Sequence, residues 1–118
     1  MSNLGLFVIP IKVDNSISTY NDYIDFLVEA EHYGYTHAYI GEHLTDKKED
    51  IQSSLIFASA VLARTKKMNL CLCVLPLPHY EINLLIKQLE DLYLLSKGRL
   101  QIGFSQGALK SDAEYLNF

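Results

Sequence analysis

The chain has 118 residues, enough for a single domain over 1–118, and 49% of them are hydrophobic against 20% charged, which excludes a disordered chain. A formal net charge of −4 gives no bulk attraction for nucleic acid or anionic lipid. The longest apolar runs, such as Leu70–Leu77, fall far short of the roughly 20 residues that a bilayer span needs, and residues 1–13 lack the basic start and small-residue cleavage site of a secretory leader.

The first element is a strand over Leu6–Ile11. An amphipathic helix follows over Tyr20–Tyr33, with Thr19 as its N-cap, an apolar stripe of Tyr20, Tyr23, Ile24, Leu27 and Ala30, and Gly34 beyond its C-terminus. A second strand covers Thr36–Gly41. The run Asp46–Asp50 reads as a solvated loop, and a second helix covers Ile51–Arg64, capped by Asp50. The third strand is Met68–Leu75. It carries the only cysteines, Cys71 and Cys73, whose spacing matches neither a thioredoxin motif nor a two-part zinc site. We expect both thiols to pack in the core, no metal site, and a reducing cytoplasmic setting. A third helix covers Glu81–Ser96 and ends at Gly98. The fourth strand is Arg99–Phe104, and Ser111-Asp112-Ala113-Glu114 opens a fourth helix.

The strands begin about 31 residues apart, the length of one strand and one covering helix, and their near-continuous apolar runs fit parallel strands. The class is α/β with right-handed crossovers. Pattern alone leaves two architectures: a small doubly wound sheet, or a (β/α) half-barrel with strands in sequential order. A complete eight-stranded barrel takes about 250 residues.

Both architectures place chemistry at the C-terminal ends of their strands. Those ends carry Glu42 and His43 after strand 2, Pro76 and His79 after strand 3, and Ser105, Gln106 and Gly107 after strand 4. No P-loop or G-x-G-x-x-G follows strand 1, and the acidic residues of a receiver domain are missing. A nucleophilic role for Ser105 lacks a recognisable base beside it.

Four ordered segments, "YIGEHL", "VLPLPH", "LLIKQLEDLYLLSKGR" and "LSKGRLQIGFSQG", resemble the luciferase-like flavin monooxygenases, the family of bacterial luciferase subunits and alkanal monooxygenases. The resemblance runs from about Leu4 to Phe118 and covers the N-terminal half of that family's barrel. It implies the first four βα units of a TIM-barrel-like fold, a reduced flavin (FMN or a deazaflavin) at the C-terminal mouth, and a small organic substrate such as an aldehyde. Glu42 and His43 match the first two positions of the family's Glu-His-His motif, with Leu44 in the third. The resemblance therefore makes His43, with Glu42, the catalytic candidate, and an imidazole suits proton movement near neutral pH. It makes Leu75, Pro76, His79, Ser105, Gln106 and Gly107 the cofactor-binding candidates, and it places a cis non-proline bond near Cys71-Leu72.

Two departures bear on activity. Ser105 and Gln106 stand where luciferase alpha subunits carry a reactive cysteine and an arginine, so the motif offers neither a thiol nor a fixed cation for a flavin phosphate. A half-barrel also leaves two strand edges and its inner face without partners. The expectation is a homo-oligomer, most simply a dimer, or a partner C-terminal half, with weak or absent flavin binding and no turnover by this chain alone. The alternative is a non-enzymatic half-barrel remnant, or a flavin-binding module, that functions as a homo-oligomer.

Overall fold

The computed structural model describes residues 3–9, 18–48 and 51–117. The elements in chain order are β1 (Gly5–Val8), α1 (Ser18–His32), β2 (His37–Ile40), α2 (Ser54–Arg64), β3 (Asn69–Pro76), a 3-10 turn (Leu77–His79), α3 (Ile82–Ser96), β4 (Leu100–Ser105) and α4 (Lys110–Tyr115). The four strands form one parallel sheet in the order β1-β2-β3-β4. Sequential parallel order excludes the doubly wound alternative, whose strand order reverses at a switch point. The half-barrel reading is the correct one.

The register explains how each strand divides its side chains. Ala38, Leu70 and Leu100 lie side by side, as do Ile40, Leu72 and Ile102. These rows face the helices and join Leu27, Phe57, Val61 and Leu85 in one core. The alternate row, Phe7–Tyr39–Cys71–Gln101, occupies the opposite face. That face is open: Phe7 is 61% exposed, and the His37 and Tyr39 rings stack upon it. Strict alternation therefore corrects the expectation that Cys71 and Cys73 are core residues. Leu70 and Leu72 take the helix-facing positions, and both thiols are half-buried on the open face.

Several element ends also moved. β1 is shorter than expected, and Pro10 and Ile11 lie outside the described residues. Thr19 falls inside α1 rather than capping it. Asp50 lies outside the described residues, and the cap of α2 is Ser53, whose Oγ accepts from the Ile56 N–H. Residues 51–53 serve as an anchor instead of a first helical turn: Ile51 is buried, and its carbonyl accepts from the His43 N–H at 3.1 Å. Glu81 is the N-cap of α3, accepting from the Asn83 and Leu84 N–H groups. At its other end Lys97 (φ 53°) and Gly98 (φ 83°) turn the chain into β4. The cis bond is Cys73–Val74, two residues beyond the expected position, within the stretch where β3 and β4 shift register.

At the N-terminal end of the sheet, Arg99 ties three elements. Its guanidinium donates to the carbonyls of Leu62, Met68 and Ser96 and to Thr65 Oγ1. Nearby, Glu31 accepts from the successive N–H groups of Lys66, Lys67 and Met68. None of the described helices is long and apolar enough to cross a membrane.

Candidate functional site

A cleft of about 160 Å³ opens at the C-terminal ends of the strands. Glu42, His43, Pro76, His79, Ser105 and Gly107 all line it, although they come from three different strand ends. Gln106 stands beside it in a second depression, shared with His79, Gly107 and Lys110. The Leu75 side chain is fully buried in the core and reaches neither. Phe7, Ile9 and Val74 add exposed apolar surface to the cleft wall.

The strand-4 loop is shaped by backbone and not by charge. Gly107 adopts φ +87°, and a Cβ there would lie 3.2 Å from His79 Nε2. Only glycine combines that dihedral with so close an approach. The Ser105 hydroxyl is occupied in the same turn, accepting from the Gly107 N–H at 3.1 Å.

His43 is half-buried, and its Nδ1 lies 3.7 Å from Asp112 Oδ2. Asp112 is 2% exposed. Its Oδ1 accepts from the Thr45 N–H at 2.9 Å and from Thr45 Oγ1 at 2.6 Å. Burial alone would raise its pKa, but hydrogen bonds from Thr45 and the Leu44 backbone, with His43 nearby, outweigh burial and hold it below the ordinary value. The cleft thus carries a fixed carboxylate beside its histidine. The sequence pattern identified Asp112 only as part of a helix start, and its contact with Thr45 spans 67 residues.

Glu42 is also buried, at 5% exposure, and both its oxygens are engaged. Oε2 accepts from the Ser54 N–H at 2.7 Å, and Oε1 accepts the Tyr80 hydroxyl. Tyr80 carried no sequence signal of its own beyond following His79. Among the described residues, no group of three or more His, Cys, Asp or Glu side chains is arranged to hold a metal ion.

Comparison with known proteins agrees with this architecture. The family model for luciferase-like monooxygenases matches residues 5–115. Limonene 1,2-monooxygenase of Rhodococcus erythropolis is 31% identical over 117 residues, covering 97% of this chain and 30% of that protein. The 4-hydroxyprotoasukamycin monooxygenase of Streptomyces nodosus subsp. asukaensis is 25% identical over 107 residues, covering 91% of this chain and 29% of that protein. Among solved structures, the oxygenating constituent of 3,6-diketocamphane monooxygenase from Pseudomonas putida, in complex with FMN, superposes with a TM-score of 0.91 at 22% identity. That match covers 98% of this chain and 32% of the other. The chain thus spans about 30% of the length of the curated relatives it matches. With a family match over nearly all of its residues and a sheet in barrel order, the chain belongs to the luciferase-like monooxygenase family.

Proposed function

We propose that the chain forms one wall of a flavin-dependent monooxygenase site, with His43 as its acid–base group, and that these 118 residues alone bind flavin weakly and do not turn over. The observation that carries this reading is the convergence of His43 and His79 on one cleft at the C-terminal strand ends. The rest rests on family membership and on relatives whose names describe monooxygenases.

The cleft suits a flavin unevenly. Phe7, Ile9 and Val74 offer apolar surface for a flat ring, and His43 and His79 offer ring nitrogens at its polar edge. The described lining holds the carboxylates Glu42 and Asp112 and no lysine or arginine, so it does not suit the phosphate. A reduced flavin, when bound, supplies the electrons for O₂ chemistry. This chain's part is narrower. Phe7 and Val74 would shield a bound ring from water, and His43, beside Asp112, would take and return protons at its imidazole.

A charge-assisted contact contributes roughly 1.5–3 kcal/mol, so a phosphate without one loses about 10- to 100-fold in affinity. The test is a titration of the purified chain with FMN and with a deazaflavin, oxidised and reduced, followed by an assay with O₂ and an aldehyde. Weak binding and no product are expected. Micromolar or tighter binding with aldehyde oxidation abolished by His43→Ala would overturn the inactivity and keep the enzyme. The cation-free lining also favours a second reading, a non-enzymatic half-barrel acting as a homo-oligomer. Flavin affinity unaffected by any cleft substitution would support it.

A further inference from the structure

The Glu42 carboxylate joins three pieces of chain that are remote in sequence. It stands just past β2, its Oε2 caps the first N–H of α2 at Ser54, and its Oε1 holds the hydroxyl of Tyr80, 38 residues away. Tyr80 closes the 3-10 turn after β3, its N–H donating to the Leu77 carbonyl at 3.2 Å. His79 is the residue immediately before this anchor. On its other side, His79 abuts Gly107 in the loop after β4. The turn is thus clamped to β2 through Tyr80 and pressed on the β4 loop through His79.

We propose that Glu42 and Tyr80 are a positioning pair: their partly buried hydrogen bond holds the β3–α3 turn against the end of β2 and thereby sets where the His79 imidazole stands in the cleft wall. This replaces the catalytic role that the motif implies for Glu42. Each of its oxygens already accepts a hydrogen bond from protein, and removing either donor would leave a buried carboxylate oxygen unsatisfied. The clamp is also durable. Burial first, then the hydrogen bond and the charge of Glu42, push the Tyr80 ionisation far above the ordinary phenol value, so its proton stays in place across the neutral range. The inference rests on the proposed flavin site only for its consequence in ligand binding, because the placement of His79 is measurable without flavin.

The experiment uses the whole chain and the variants Tyr80→Phe, Glu42→Gln and the double variant. Ring signals of His79 are followed by NMR, with the exposed His32 at the end of α1 as the reference and hydrogen exchange at the Leu70 and Leu72 amides reporting the sheet. Both single variants are expected to move the His79 signals while His32 and the strand amides stay unchanged. The double variant should move His79 no further than the larger single effect, as coupled partners do. If the wild-type chain binds FMN, each single variant weakens that binding about tenfold. Unmoved His79 signals in both single variants would overturn the proposal. So would additive shifts in the double variant, or shifts only in variants that also lose strand protection. Failure of the wild-type chain to bind any flavin would instead count against the proposed function and leave the His79 result standing.

Discussion

Gly107 and His79 sit so close that a side chain on Gly107 would crowd the imidazole: its Cβ would lie 3.2 Å from His79 Nε2 and 3.8 Å from Pro76 Cβ. Gly34 has a similar positive φ, +98°, with nothing within 4 Å of its Cβ position. Gly34→Ala should therefore cost only the left-handed strain, about 1–2 kcal/mol. Gly107→Ala should cost that and a contact penalty besides. Urea unfolding of the two variants measures the difference, and equal losses would show that the His79 contact is soft.

Acid should weaken the fold through two carboxylates. Asp112 and Glu31 both keep depressed pKa values in the folded chain: burial opposes the shift, and it is outweighed by backbone hydrogen bonds at Glu31 and by the Thr45 hydroxyl together with backbone hydrogen bonds at Asp112. A depressed folded pKa stabilises the protein above the unfolded value, near 4, and that contribution fades as pH falls through the folded value. The urea midpoint should hold from about pH 7 to 5 and drop below about pH 4. Asp112→Asn and Glu31→Gln should each flatten the drop. A wild-type midpoint unchanged at pH 3 would contradict this account.

At the opposite end of the sheet, Arg99 spans the ends of α2 and α3 and the entry to β3 through four acceptors. Lysine cannot reproduce that planar fork. Arg99→Lys should lose about 1.5–3 kcal/mol, little less than Arg99→Met. A lysine variant as stable as wild type would show that one acceptor carries the effect.

The outer strands β1 and β4 carry exposed Phe7 and Phe104, 61% and 53% accessible, on edges without a partner strand among the described residues. Apolar side chains on open edges favour association. Sedimentation at micromolar concentration should give a species larger than a monomer, and Phe7→Lys with Phe104→Lys should shift it toward the monomer. A stable wild-type monomer would refute the assembly.

The sequence by itself determined the element order, the parallel class and the positions of the chemistry-bearing strand ends. Those properties are local: periodicity marks each strand and helix, and glycines such as Gly98 mark where helices must turn. Periodicity left both the half-barrel and the doubly wound sheet open, because strand order depends on which strands pair and not on where they lie along the chain, and it was the four ordered motifs that pointed to the half-barrel. The tertiary structure bears out the sequential order, and it alone decided which residues share the open face, Phe7, Tyr39 and Cys71 among them, because that depends on strand register. The same holds within the site. His43, His79 and Gly107 were legible from their places after strands, whereas Asp112 and Tyr80 were not. Their roles come from hydrogen bonds to Thr45 and Glu42 across 67 and 38 residues, and such contacts exist only once burial makes an unpaired carboxylate too costly to leave alone.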